Sequence, residues 1–190
     1  MIERFVHNVI DEMVKKKIIQ EQEREEYKYA FLSGSEKLIT IGSILFVATL
    51  IKSLIPTLIF LFTFFSLRNW AGGFHLKTFK QCYIATIMIY FFVYIVSNKL
   101  YNMRILYVLW IFSTILIMII GAVNHPNVNF SYKEFIYAKR MARILLTIES
   151  IAIFFAVLCQ YDSVMIFYAI MGIVLCAILL VIAIITEQTV

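Results

Sequence analysis

Charge is scarce in this chain. Asp, Glu, Lys and Arg make up 15% of its 190 residues, and hydrophobic residues make up 62%. Soluble globular domains carry about 25% charged and about 45–50% apolar residues. With a mean hydropathy of +0.88, an ordinary soluble domain is excluded. Cysteine is equally sparse: Cys82, Cys159 and Cys176 are an odd number without framework spacing. They read as reduced thiols, and no disulfide scaffold is expected. The three histidines, His7, His75 and His125, lack the close ligand pairs of a metal site, so neither metal nor cofactor is expected. Only two prolines and six glycines punctuate the chain, with no repeat or low-complexity tract. The apolar runs do not alternate with period two, which argues against a barrel.

What remains is an all-α, polytopic helical membrane protein. Residues 1–37 hold seven Lys/Arg and eight Asp/Glu, with no continuous apolar core of the kind a signal peptide needs. Ile2, Phe5, Val6, Val9, Ile10, Met13 and Val14 recur at helical spacing. This predicts an amphipathic helix lying on the membrane or on the rest of the protein. A second charged helical segment follows, with Ser33-Gly34-Ser35 as its break before lipid. The division is therefore a charged segment, 1–37, and a membrane domain, 38–190.

Six apolar runs fill that domain: Leu38–Ile51, Ser53–Leu67, Tyr83–Ser97, Ile105–Val123, Ile144–Cys159 and Val164–Ile185. A span needs about 20 residues to cross a hydrocarbon core about 30 Å thick. The first three runs are short by that measure. They must borrow flanking residues, thin the bilayer or form a re-entrant pair around Lys52 and Pro56. Alternation of six runs from a cytoplasmic amino terminus puts fourteen of the seventeen Lys/Arg on the inner side, as retention of positive charge requires. Both termini and the segment 68–82 then face the cytoplasm. The same count explains the net charge of +5 without a nucleic-acid partner.

Segment 68–82 is the polar island: "RNWAGGFHLKTFKQC". On one straight helix, His75 and Cys82 would lie about 10 Å apart along the axis, too far for a hydrogen bond. A working pair needs a turn, and Gly72-Gly73, immediately upstream, permits one. The expected layout ends the second membrane helix near Trp70, carries His75 on a loop and sets Cys82 in the first turn of the next helix. There the helix dipole, Lys77, Lys80 and Arg68 favour thiolate. His75 would exchange the proton. A lone histidine and a lone cysteine at a membrane surface are more often explained by packing.

The island, continued to Tyr83, resembles the signature of the accessory gene regulator B (AgrB) family, membrane cysteine endopeptidases that process quorum-sensing propeptides. Arg68, Gly72, Gly73, His75, Lys77 and Cys82 carry the match, with support from chain length, Tyr27 and Tyr29, and the order of apolar runs. A weaker match follows the fourth run, at Ala122, Val123, Asn127 and the bases at 133, 139, 140 and 143. The resemblance implies His75 and Cys82 as catalytic residues, an AgrD-type propeptide as substrate at the cell membrane, and a homodimer. Arg68, Gly72, Gly73, Lys77, Lys80 and Glu149 are candidates for substrate binding, the cations through the acidic propeptide tail. Asn69 is a local candidate for orienting His75. Glu149 interrupts the fifth run; it lines a peptide cavity, pairs with a base, or is protonated or snorkels to water. Cys159 and Cys176 read as packing residues. The rival from another class is a small peptide transporter or exporter that uses the short first runs as a cavity and no thiol chemistry.

Overall fold

The computed structural model describes residues 2–74, 76, 78–99, 102–124 and 131–187. Seven helices account for nearly all of them: α1 (Ile2–Lys15), α2 (Arg24–Leu50), α3 (Leu54–Ala71), α4 (Phe79–Lys99), α5 (Met103–Ile120), α6 (Tyr132–Leu158) and α7 (Ser163–Ile185). No strand occurs among the described residues. Six of the helices, α2 to α7, are long and apolar enough to cross a bilayer. This is a multi-pass helical membrane protein.

α1 is not a free amphipathic helix. Its apolar stripe closes on α2, burying Val6 and Ile10 together with Ile19 from the connecting turn. Arg24, the first residue of α2, pairs with Asp11 of α1 and with Glu21.

α2 corrects the expected break at Ser33-Gly34-Ser35, because the helix runs through all three residues. A glycine costs about 1 kcal/mol in a helix interior, a small penalty within 27 residues whose inner face packs on the bundle through Thr40, Ile44 and Ala48. The short first runs are resolved the same way, by borrowing flanking residues. The spans become Ala30–Leu50, Leu54–Ala71 and Lys80–Asn98, and the first two are separate helices, each long enough to cross. Lys52 turns the chain with a positive φ of 57°. Pro56 is the third residue of α3, in the first turn, where its missing N–H removes no helical bond.

α7 is the axis of the bundle and its most deeply buried helix. It packs closely on α3 because Gly172 lets the backbones approach: a Cβ there would lie 3.0 Å from the Phe64 amide nitrogen. Small residues serve this purpose in membranes, where burial in lipid gives little drive for association. Gly172→Val is expected to lower stability by about 1–3 kcal/mol through overpacking, measurable as a fall in the melting temperature of the purified protein in lipid. At the opposite end of the bundle from the Gly72-Gly73 loop, hydroxyls take over. Thr57 and Tyr90 share a hydrogen bond of 2.8 Å, and Tyr168 lies 3.3 Å from both Ser53 and Ser97.

Candidate active site

α3 ends where the glycines begin. Gly72 (φ 70°) donates its N–H to the Arg68 carbonyl at 3.2 Å, and Gly73 follows at φ 127°. Side chains rarely adopt these angles, and space forbids them as well. A Cβ at Gly72 would meet the Val123 carbonyl oxygen at 2.7 Å, and one at Gly73 would overlap the Arg68 guanidinium.

The exit from α3 is then fastened at several points. Val123, after α5, donates its N–H to the Ala71 carbonyl at 2.9 Å. The Phe74 N–H donates to the Leu179 carbonyl of α7 at 2.9 Å. Arg68 reaches back from α3, with Nη1 donating to the Gly72 carbonyl and Nη2 to the Phe74 carbonyl. The guanidinium thus serves two carbonyls of one short loop, a fork that a single ammonium cannot reproduce. It is held by backbone and points into the protein. Two of its five N–H donors are used in this way.

Cys82 is the fourth residue of α4, preceded by Thr78, whose hydroxyl accepts from the Gln81 N–H at 3.4 Å. The thiol is partly buried and not in a disulfide. Its own amide donates to the Thr78 carbonyl at 3.1 Å, so this N–H is already used. The amides of Phe79 and Lys80 belong to the first turn, where the helix supplies no acceptor of its own. Among the described residues, Arg68 is a cation whose guanidinium lies within electrostatic reach of both Cys82 and Cys176. His75 and Lys77 lie outside the described residues, as does Asn127 of the weaker motif. Lys80 is exposed at the start of α4.

Three further placements differ from expectation or go beyond it. Glu149 does not snorkel. α6 begins twelve residues before the apolar run, at Tyr132, which sets Glu149 about 25 Å along the helix. It is only 6% exposed, and its Oε1 accepts from Ser66 of α3 at 2.5 Å. The bases at 133, 139, 140 and 143 belong to the first turns of α6. Ser131 and Glu134 form a capping box that starts the helix there. Arg143 donates to the Met118 and Ile119 carbonyls at the end of α5, and Lys139 sits 4.4 Å over the Phe135 ring. Finally, Asn69 is engaged: its Oδ1 accepts from Lys37 of α2 at 2.9 Å.

Some anchors had no sequence signal. The Leu179 carbonyl, the Val123 amide and Ser66 act through position alone, and nothing in their residue types marks them.

Residues 4–185 match the family model of Accessory gene regulator B. The chain belongs to the AgrB family. The match covers nearly the whole protein, well beyond the island that carried the resemblance. No curated protein and no solved structure matches it. Membership of the AgrB family gives the chain a role in the agr quorum-sensing system, in processing of the AgrD propeptide.

Proposed function

We propose that this AgrB-family protein is a membrane cysteine endopeptidase with Cys82 as nucleophile and His75 as its acid–base partner. The supporting observation is the loop. A glycine turn fastened by Arg68, Val123 and Leu179 leads from α3 into α4, whose fourth residue is a partly buried thiol in reach of that same guanidinium. A nearby cation favours thiolate.

The reaction then follows in two transfers. The Cys82 thiolate attacks the carbonyl at the carboxyl end of the signal segment. The imidazolium of His75 gives its proton to the departing amine, and the acidic tail leaves. The signal segment is now a thioester on Cys82. A cysteine thiol within the peptide attacks that thioester, the Cys82 sulfur leaves, and a thiolactone ring closes; a peptide hydroxyl would give a lactone. Exclusion of water favours ring closure over hydrolysis. The amides of Phe79 and Lys80 are the donors available to the oxyanion. Gly72 and Gly73 shape the entrance, Lys77 and Lys80 attract the acidic tail, and Glu149 lies behind the site in the bundle.

With six crossings, both termini would lie on one side. The charge count supports the cytoplasmic side of the cell membrane, where an amphipathic propeptide leader in the inner leaflet would present its scissile bond. Two copies are expected to associate.

His75→Ala is expected to abolish cleavage of co-expressed propeptide, with the protein retained in the membrane at its normal level. Continued cleavage by that variant, with export as the function left to explain, would overturn the reading.

A further inference from the structure

α6 is longer than a bilayer requires. Its 27 residues extend about 40 Å, against about 30 Å of hydrocarbon. The helix ends at Leu158, and the exposed turn 159–162 leads into α7. With that end at one edge of the hydrocarbon, roughly the first seven residues of α6 stand in the headgroup layer at the other edge. Tyr137 meets Trp70 of α3 edge to face at 5.6 Å, which ties this level to the glycine-loop end of the bundle. Tyrosine and tryptophan are the side chains that favour headgroup depth.

The four bases in these turns do not share one role. Lys139 lies over the Phe135 ring, and Arg143 donates to the carbonyls that end α5. Lys133 and Arg140 are exposed, and neither makes a hydrogen bond or ion pair among the described residues. Seven positions apart, they stand within about 20° of each other around the helix and about 10 Å apart along it. Ile136 and Tyr137, both exposed, lie between them. Ala138 and Ala142 are buried on the opposite face. The two free cations therefore point out of the bundle.

The same outward face continues into an apolar groove. Arg143, Ile144, Thr147 and Ile148 line an open pocket of ≈ 260 Å³, which begins about one turn deeper than Arg140. Both polar side chains on its wall are engaged elsewhere. Arg143 serves the α5 carbonyls, and the Thr147 hydroxyl donates to the Arg143 carbonyl at 2.8 Å. The groove offers a ligand only the two isoleucines, a threonine methyl and an arginine stem.

We propose that this face of α6 is a binding site for an anionic phospholipid, with its headgroup on Arg140 and Lys133 and an acyl chain in the groove. Helical side chains lean toward the N-terminus of their helix, which for α6 is the headgroup side. Both long stems thus carry their charge outward from the hydrocarbon. The Arg140 guanidinium can grip a phosphate through two parallel hydrogen bonds, and the Lys133 ammonium, farther out, adds a point charge.

An acidic peptide tail would also pair with two cations. The groove decides for lipid, because it carries the cationic face down into the hydrocarbon, where an acidic chain gains nothing. Position agrees. α6 packs on α3, α5 and α7, whereas α4, which bears Cys82, packs on α2 and α7. The site lies on a different flank from the thiol and does not depend on the protease reading.

Trp70, in contact with Tyr137, reports on the site. The chain has two tryptophans, and the Trp110 indole N–H has no partner among the described residues. Trp110→Phe therefore removes no hydrogen bond and leaves Trp70 as the sole emitter. The full-length protein with this change is placed in vesicles of phosphatidylcholine and phosphatidylglycerol, with brominated chains on one lipid at a time. Quenching of Trp70 then gives the relative affinity for the two lipids.

A cation near an anionic surface contributes about a five-fold gain. The preference for phosphatidylglycerol should be about 25-fold, about five-fold in Lys133→Gln or Arg140→Gln, and about unity in the double variant. Should the double variant not be recovered, the single variants decide by their five-fold losses. Equal quenching by both lipids without these substitutions, or a preference that survives them, overturns the proposal. An equal loss in Lys52→Gln, at the opposite end of the bundle, overturns it by marking charge in general. Weaker propeptide affinity of the variants in phosphatidylcholine alone, with no lipid preference before substitution, assigns the face to an acidic tail and overturns it as well.

Discussion

Cys82→Ala should abolish release of the propeptide tail, with a loss of about 10⁴-fold or more, as expected when a covalent nucleophile is removed. The protein itself should remain in the membrane. Cys82 is partly buried and lies one turn into α4, where its backbone carbonyl accepts from Thr86 at 2.8 Å. Alanine preserves that helix and removes one sulfur atom from the bundle. Stability should therefore change by no more than about 1–2 kcal/mol, far too little to explain a dead enzyme. The comparison with Cys159→Ala and Cys176→Ala sharpens the result. Cys159 is exposed at the end of α6, and Cys176 is fully buried in α7. Loss of either should leave the chemistry standing. Loss of Cys176 should lower stability through the cavity it leaves. The outcome is read by mass spectrometry of the propeptide recovered from membranes holding equal amounts of each variant.

Arg68→Lys should lower cleavage by about 100-fold, the scale expected when reacting groups are misplaced by about 1 Å. Two carbonyls in different directions, on Gly72 and Phe74, accept from the two arms of the guanidinium. An ammonium on a shorter, more flexible stem satisfies one at best and leaves the other underbonded in a mostly buried setting. The loop that leads to His75 would lose its register although the charge is kept. The substitution also separates two roles for Arg68. A residue that grips the acidic tail would matter less for a propeptide whose tail acids are replaced by amides. A residue that holds the loop would matter equally for both substrates, and equal loss is the expected result. It would also fall on kcat, while loss of tail binding would raise KM.

How much of this was legible beforehand depends on the scale of the feature. The apolar runs gave six crossings, since hydrocarbon length and backbone satisfaction leave few other solutions. The glycine pair marked the end of α3 to within a residue or two and placed Cys82 at the start of α4, because Gly72 and Gly73 occupy angles that other residues avoid. The continuation of α2 through Ser33-Gly34-Ser35 was not legible. Local turn chemistry argued for a break, and packing of a long helix on the bundle overrode it. Which of the alternatives holds for Glu149 was not legible for a related reason. Its depth depends on where α6 starts, and the apolar run alone starts α6 too late; the Ser131–Glu134 capping pair carries that information. Arg68 looked like a surface cation because its two acceptors are backbone carbonyls, which no residue type announces. The same holds for the tie between Lys37 and Asn69, a contact across 32 positions of sequence.

The central claim is a covalent bond between Cys82 and the signal segment. Intact-protein mass spectrometry, on wild-type protein in lipid quenched in acid during turnover of a propeptide lacking its internal cysteine, tests it most directly. With ring closure blocked, the protein should gain the mass of the leader and signal segment, without the tail. The adduct should map to Cys82 and be released by hydroxylamine. Tail release at the normal rate with no adduct on that residue would contradict the account.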